Sequence, residues 1–492
     1  MRQAIYKAAQ SRQLDIAARE ELAISGYALM CRAGQAAFDF LGQRWPNAKR
    51  LLIVCGAGNN GGDGWVLARL AHCAGITVTV VSAVDPSRLH GEAAEAFAAA
   101  AQAKVPWVDN TARVEDKADV VVDALLGTGA KGAPRPDVAA LIARINQSGS
   151  HVLALDIPSG VAADANEAPQ LAVRATATMA FIHWKPAHWT GPGRALCGER
   201  VLASLGVGEA SYDRCEACAQ LLTVQRLPAM PARSVLAHKG NFGHVVAIGG
   251  DHGAGGAIML AARAAQRSGA GLVSVATRPA HVPAMLATAP EVMAHGIDVP
   301  AHVLPLLSHK HTLLIGPGLG QGAWGQAMLQ RVLQAQRTTV MDADALNLVA
   351  RWGVERLRVL PGCVISPHPG EAARLLGCSV VEIESDRLGA ARRLHELSGA
   401  VVVLKGAGTI VDDGVEVMVC GHGNPGMATG GMGDVLSGII AALLAQGMPL
   451  AESARLAVAV HSAAADRLVE KYGERGLAAS DVIPVVRELL NE

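Results

Sequence analysis

Short apolar runs that end in glycine or an acid, each followed by a stretch of helical periodicity, recur along this chain. The first is Leu51-Leu52-Ile53-Val54-Cys55, and the stretch after it carries Trp65, Leu67 and Leu70. Ile76–Val81 reads as the next strand and Gly91–Ala103 as a helix. Asp119–Asp123 (DVVVD) and His151–Asp156 (HVLALD) read as further strands, each closing on an acidic residue. Runs without polar alternation imply strands buried on both faces, so the pattern predicts a parallel sheet covered by helices on either side. Residues 1–45 read as helical and are expected to pack at that sheet's edge. The rhythm breaks between about Gly206 and Ala237, where Pro228 and Pro231 interrupt it, and restarts at Val245–Gly249. Further strands are expected at Leu272–Ala276, Thr312–Ile315, Thr339–Asp342, Val364–Ser366 and Val401–Lys405, before a mostly helical last hundred residues. A boundary near residue 220 therefore divides the chain into two α/β domains, 1–220 and 221–492. No short-period repeat is visible, which argues against a solenoid.

Composition narrows this picture. Hydrophobic residues make up 51% of the chain and aromatics only 3%, so the apolar load falls on Ala, Val and Leu. Such small side chains suit helices lying close on a parallel sheet. Acidic and basic residues balance at 43 each, and no Lys/Arg-rich run occurs, so the electrostatic footprint of a nucleic-acid or membrane-surface protein is missing. Cys215 and Cys218 form a Cys-x-x-Cys without the second pair a zinc site needs. Reduced thiols are the expected state of the nine cysteines. The opening Met1-Arg2-Gln3-Ala4 leads into mixed, charged sequence without a signal-peptide core. The most apolar stretch, Val435–Ala445, falls short of the roughly 20 residues a bilayer requires. A soluble, cytoplasmic protein with no nucleic-acid and no membrane partner is expected.

Candidate chemistry in the first half begins with Gly56-Ala57-Gly58-Asn59-Asn60-Gly61-Gly62-Asp63-Gly64, which follows a strand and opens a helix. Glycines let backbone amides approach an anion, and the helix N-terminus adds favourable partial charge. Gly56, Gly58 and Gly61 also satisfy the dinucleotide G-x-G-x-x-G spacing, with Asp85 near the place of a ribose-binding acid. That match alone is weak, and a dinucleotide loop has no need of the doubled Asn and the Asp. Asp123-Ala124-Leu125-Leu126-Gly127-Thr128-Gly129, Lys131-Gly132 and Asp156-Ile157-Pro158-Ser159-Gly160 sit at strand ends, where open α/β sheets bind ligands. Asn60, Asp123 and Ser159 could converge as an all-oxygen set for a hard cation, or the acids could simply cap the next helices.

The motifs GAGNNGGDG, DALLGTG and DIPSG, in that order, resemble the NAD(P)H-hydrate epimerase domain, the YjeF N-terminal family, over roughly residues 10–215. The resemblance implies substrate binding by Asn59, Asn60, Gly61, Gly62 and Asp63, by the loop Gly127, Thr128, Gly129, Ala130, Lys131, Gly132 and Ala133, and by Asp156. It also implies a potassium ion held by Asn60, Asp123 and Ser159. Leu29-Met30-Cys31-Arg32-Ala33-Gly34 is similar to the family's early helix, although Cys31 stands where an acid is expected. Asp156 is the candidate acid–base group for inversion at C6 of the hydrated ring.

In the second half, Ala428-Thr429-Gly430-Gly431-Met432-Gly433-Asp434-Val435 opens a long apolar helix. Its free amides suit developing negative charge, and Asp434 sits where a base could take a proton from an attacking hydroxyl. The motif resembles the ribokinase-like signature. With Gly316-Pro317-Gly318-Leu319-Gly320, DADALN from Asp342, SPHPGE from Ser366 and Lys405-Gly406-Ala407-Gly408-Thr409, it is more closely similar to the ADP- or ATP-dependent NAD(P)H-hydrate dehydratases over about residues 225–490. The resemblance implies that Ala257, Gly320, His368 and Asp434 contact the hydrated cofactor. It places the nucleotide on Lys405, Gly406, Ala407, Gly408, Thr409 and Gly433. Asp344 is expected to cap its helix.

Together these resemblances imply two three-layer α/β/α domains, Rossmann-like then ribokinase-like. They imply repair of hydrated NADH and NADPH with ADP (or ATP) as co-substrate, magnesium on its phosphates, and a homo-oligomer. The alternative is a ribokinase-like small-molecule kinase with an N-terminal nucleotide-binding or interaction module; an NAD-dependent dehydrogenase is a weaker rival for the first half.

Overall fold

Alternate residues of each buried run point to opposite faces of a sheet. In β1 (Arg50–Cys55), Leu51, Ile53 and Cys55 enter one core while Leu52 and Val54 enter another. The same split separates Val120 and Val122 from Val121 in β4 (Val120–Ala124) and Leu153 from Val152 in β5 (His151–Leu155). The strands therefore carry no polar face because both faces are covered. The computed structural model describes residues 4–111, 117–130, 132–164, 171–227, 230–307 and 311–492, which divide into units Met1–Gln220 and Leu221–Glu492.

The first unit adds β2 (Thr77–Ser82), β3 (Trp107–Asp109), β6 (Ala177–Phe181) and β7 (Glu199–Ala203). All seven strands run parallel in the order β3-β2-β1-β4-β5-β6-β7. Helices α2 (Gly26–Arg44), α3 (Asn59–Cys73) and α4 (Gly91–Gln102) cover one face and α5 (Pro136–Gln147) the other; α1 (Ala8–Leu22) precedes them. The strand order reverses between β1 and β4.

In the second unit β8 (His244–Ile248), β9 (Leu272–Thr277), β10 (Met293–Gly296), β11 (Thr312–Ile315), β12 (Thr339–Met341), β13 (Cys363–Ile365) and β14 (Val401–Leu404) are parallel. The antiparallel β15 (Ile410–Asp412) and β16 (Val417–Cys420) extend the sheet beyond β14. The order is β10-β9-β8-β11-β12-β13-β14-β15-β16, with its reversal between β8 and β11. The pair β15–β16 lies within the stretch expected to be helical. It turns through Asp413 and Gly414, and Gly414 has φ +86°. Both units are α/β folds with helices over largely parallel sheets, as the apolar runs predict.

One face of the second sheet is covered by α6 (Gly255–Arg267) and α7 (Met432–Ala445), with α8 (Leu450–Tyr472) adjoining the same core. α6 and α7 meet through Ala261, Ala264 and Gly438, and a Cβ at 438 would lie 2.1 Å from the Ala261 carbonyl oxygen. Alanine in place of that glycine gains about 1 kcal/mol of helix propensity. Forcing two packed backbones apart costs ~1–3 kcal/mol, and no flexible side chain is there to give way. Gly438→Ala should therefore lower the denaturation midpoint of the second unit. An unchanged or raised midpoint in the full chain would show that the helices can part without cost.

Candidate active sites

The loops leaving β1 and β4 diverge at the first reversal of strand order, where open α/β sheets form their crevice, and a cavity of about 700 Å³ opens there. Gly56 makes that loop pair possible, because a Cβ on it would lie 1.8 Å from the Leu125 oxygen. α3 then starts at Asn59, with Gly58 as its cap, so its first turn faces the cavity. Asn59, Asn60, Asp63, Gly127, Thr128, Gly129, Ala130 and Asp156 all line the wall. Gly61 and Gly62 do not line it; they are packing positions, where a Cβ would meet the Gly56 oxygen at 2.0 Å and the Met30 side chain at 2.6 Å. Gly132 and Ala133 also lie off the wall, and Lys131 lies outside the described residues.

Asn60, Asp123 and Ser159 converge behind the 123–129 loop. The Ser159 hydroxyl and amide donate to the fully buried Asp123 carboxylate at 2.6 and 2.8 Å, and the hydroxyl accepts from the Leu126 amide at 2.9 Å. Asn60 Nδ2 donates to the Leu126 oxygen at 3.0 Å, while its buried Oδ1 has no hydrogen-bond partner among the described residues. Burial pushes the Asp123 carboxyl up to about 6, against the hydrogen bonds from Ser159 and Leu125. A buried carboxylate beside an unsatisfied amide oxygen is a donor set that fits a hard cation.

Asp156 follows β5 with φ +63°, a left-handed backbone that costs energy for an L-residue and marks a held position. Its Oδ1 accepts from the buried Lys185 ammonium, and its carbonyl lies 2.8 Å from His188 Nε2. Asp63 is pushed well above the usual carboxylate range by burial, with Asp156 and Asp15 adding to the rise.

Sequence reasoning missed part of this wall. α1 was expected at the sheet's edge, yet Ala8, Ser11, Arg12, Asp15 and Arg19, one helical face, line the cavity. Burial, with Asp156 adding and Lys185 opposing, takes the Asp15 carboxyl up to about 6. The available signal was the spacing 8, 11, 12, 15, 19, which sets polar residues on one stripe beside buried Leu14, Ala17 and Ala18. Cys31 is half-buried and off the wall, where Leu29, Met30 and Ala33 stand instead. Asp85 is exposed and off the cavity wall, and it accepts from the Ser87 amide at the turn Pro86–Arg88.

The second unit uses the same device at its own reversal, where a Cβ on Gly249 would lie 2.1 Å from the Pro317 oxygen. Gly318 approaches the Ala254 oxygen, three residues before Ala257 in the first turn of α6, and Gly316 lies against the Asp342 carbonyl. Asp344 does not cap its helix; its carboxylate accepts from the Gly320 amide at 2.9 Å and Gln321 Nε2 at 3.1 Å, tying down the glycine loop. Asp342 occupies the cap position but makes no side-chain cap bond. Its buried carboxylate accepts from Lys405 Nζ at 2.6 Å instead, with Glu371 4.0 Å from the same ammonium.

Gly433 adjoins this group, since a Cβ there would lie 3.1 Å from Lys405 Nζ. One residue on, Asp434 is pushed up to about 7, by burial first and then by Asp342 and Glu371, with Lys405 opposing. Burial works against the Lys405 charge, but Asp342, Glu371 and Asp434 outweigh it and raise its pKa. His368 caps the helix Pro369–Leu376: its Nδ1 accepts from the Gly370 amide at 3.0 Å and its own amide donates to Glu371 at 2.8 Å. Burial and the cations Lys405 and Arg374 lower its pKa, so the imidazole is neutral, with its proton on Nε2. The loop after Lys405 is shaped by Arg387, a buried guanidinium that donates to the Lys405 oxygen at 3.0 Å beside Gly406, whose φ is +135°. Ala407, Gly408 and Thr409 complete that loop, where the Thr409 hydroxyl donates to the Gly406 oxygen at 3.3 Å. Asp342 and Glu371 open and close the motifs DADALN and SPHPGE without any sign there of their shared lysine, and Arg387 lies outside every motif.

Comparison with known proteins separates the readings. The family model described as YjeF-related protein N-terminus matches residues 26–187, and the one described as NAD(P)H-hydrate dehydratase matches residues 245–487. The chain is 46% identical over 489 residues to the bifunctional NAD(P)H-hydrate repair enzyme Nnr of Coxiella burnetii, covering 99% of both chains. It is 41% identical over 483 residues to the enzyme of that name from Escherichia coli, covering 96% of this chain and 91% of that one. Among solved structures, the ADP/ATP-dependent NAD(P)H-hydrate dehydratase of Bacillus subtilis is 26% identical, with a TM-score of 0.48 over 54% of this chain and 94% of that one. Near-complete coverage of both chains at these identities includes both catalytic halves, so the chain belongs to the family of bifunctional NAD(P)H-hydrate repair enzymes.

Proposed function

We propose that the first unit interconverts the R and S hydrates of NADH and NADPH and that the second dehydrates the S hydrate, with ADP as the preferred phosphoryl donor. The observation that carries the reading is Asp434, raised to about 7 in the first turn of a glycine-opened helix and grouped with Lys405, Asp342 and Glu371. Asp434 takes the proton from the C6 hydroxyl as that oxygen attacks the terminal phosphorus. The amides of Gly430–Gly433 stabilise the charge on the transferring group. The nitrogen lone pair of the ring then expels phosphate from C6, and loss of the C5 proton restores the dihydronicotinamide. His368, Gly320 and Ala257 are assigned to the hydrated ring, and Lys405–Thr409 with Gly433 to the nucleotide.

In the first unit, the C6 hydroxyl leaves as water to give an iminium, which water re-enters from the opposite face. Asp156 is the acid–base group: it gives a proton to the departing hydroxyl and takes one from the entering water. Asn60, Asp123 and Ser159 would hold potassium, which would neutralise Asp123 and brace the 123–129 loop. Magnesium is assigned to the nucleotide's phosphates, as the family resemblance implies. The reading includes a homo-oligomer, as the family resemblance implies.

The decisive assay mixes R and S NADH hydrate with magnesium and ADP or ATP and follows dihydronicotinamide absorbance. Wild type should convert both epimers; Asp156→Asn should stop at the S fraction, and Asp434→Asn should recover ~10²–10⁴-fold more slowly. A stable phosphoester as product would replace this reading with a small-molecule kinase. Because the raised Asp434 must be ionised to act, kcat/KM for dehydration should climb with pH, with its midpoint near 7. A profile flat through that range would remove Asp434 as the base. Potassium should raise the melting midpoint of the first unit by mass action, and Asn60→Ala should blunt that rise; equal responses would move the ion elsewhere.

A further inference from the structure

The wall of the first cavity contains a cation that the epimerase reading has not used. Lys185 follows β6 and its side chain is 2% exposed, yet it lines the cavity. Its ammonium donates to Asp156 Oδ1 and, at 3.3 Å, to the Phe181 carbonyl. Its amide donates to His188 Nδ1 at 3.0 Å, so that nitrogen carries no proton. Burial, aided by Lys185, lowers His188 to about 3; the ring is therefore neutral, and its proton sits on Nε2, donated to the Asp156 carbonyl. The Asp156 amide in turn donates to the Met179 carbonyl at 2.7 Å. Amide, carbonyl and one carboxylate oxygen are thus all occupied, and Oδ2 is left towards the Gly127 side of the cavity, 3.9 Å from where a Cβ at 127 would stand.

We infer that Lys185 is a positioning residue for epimerisation, whose ammonium fixes Asp156 Oδ1 and turns Oδ2 towards the substrate, while His188 holds the strained main chain beneath it. The inference rests on the epimerase reading of this site. The charged and titratable groups around Asp156 are Asp15 from α1, Asp63 from α3, and His183, Lys185 and His188 from the segment after β6. Both other carboxyls disfavour a further negative charge, and both histidines are held neutral, so Lys185 is the one cation of that group. Without the ammonium, Oδ1 loses the donor that sets the rotation of the carboxyl, and Oδ2 loses its fixed place for exchanging protons with the hydroxyl and the water.

The test measures R-to-S interconversion in the full-length protein, with S-hydrate dehydration in the same sample reporting an intact second unit. Wild type is measured first; if it does not interconvert the hydrates, the epimerase reading fails and this inference with it. Lys185→Met should lower kcat for epimerisation by ~100-fold or more while KM shifts less than about threefold. Lys185→Arg, which keeps a donor to Oδ1, should restore kcat to within about tenfold of wild type. Because removing one partner of a buried pair can unfold a domain, the double variant with Asp156→Asn is made as well. It should recover the melting midpoint and be no slower than Asp156→Asn alone. A Lys185→Met enzyme with the wild-type rate, or losses that multiply in the double variant, would overturn the proposal.

Discussion

At the ends of β1 and β8, each beside the point where its sheet's strand order reverses, the chain must pass directly over a neighbouring loop's carbonyl. A side chain on Gly56 would collide with the Leu125 oxygen, and one on Gly249 with the Pro317 oxygen. Everything functional in either unit depends on that contact. It lets the β1 and β4 loops, and the β8 and β11 loops, leave the sheet back to back where the strand order reverses. It also directs the amides of the following helix into the crevice between them. Had either position carried a side chain, the loops would separate and the groups they present would lose their common focus. The glycine motifs are therefore statements about backbone packing first, and about ligands only as a consequence.

On that scaffold each unit buries one lysine against one aspartate, Lys185 with Asp156 and Lys405 with Asp342. Such pairs contribute little net stability, since desolvation offsets most of the attraction. What they supply is a fixed charge in a poorly hydrated site. Around each pair stand carboxyls whose pKa is raised: Asp15 and Asp63 in the first unit, Asp434 and Glu371 in the second. Carboxyls driven apart in proton affinity by their surroundings can divide acid and base roles within one site. The two units differ in which acid is paired. Asp156 is paired and reaches the cavity, whereas in the second unit Asp342 holds the lysine and burial pushes the nearby Asp434 up to about 7.

Much of this was readable from the chain. The apolar runs identified most of the parallel strands because burial on both faces removes polar alternation. The clustered Gly, Asn and Asp residues marked the loops at the two crevices. What escaped has a common physical cause. Asp15 and Lys185 acquire their roles only from partners distant in sequence, as does the pairing of Asp342 and Glu371 with Lys405, and nothing local distinguishes a lysine that will bury its ammonium from one in solvent. Asp344 looked like a helix cap because it follows a strand and opens a helix, but the glycine loop offered its carboxylate unsatisfied amides to accept from. The strands Ile410–Asp412 and Val417–Cys420 are short, and the Asp413-Gly414 turn was their one local signal.

The G-x-G-x-x-G spacing at Gly56 shows how far a motif reaches before side chains decide. Strand, glycine turn and helix N-terminus are shared with any dinucleotide-binding fold, and the spacing reports only that shared backbone. A dehydrogenase needs an acid at the end of β2 to hold a ribose, yet Asp85 is spent on capping an exposed turn. It needs little from the positions between and after its glycines. Here those positions carry Asn60, whose amide oxygen is buried without a partner among the described residues, and Asp63, a buried carboxyl held well above its usual range. Buried polar groups of that kind are costly in a loop that only has to let a pyrophosphate approach. They are reasonable in a site that must bind an ion and move protons at a ring carbon, and so they favour isomerisation over hydride transfer.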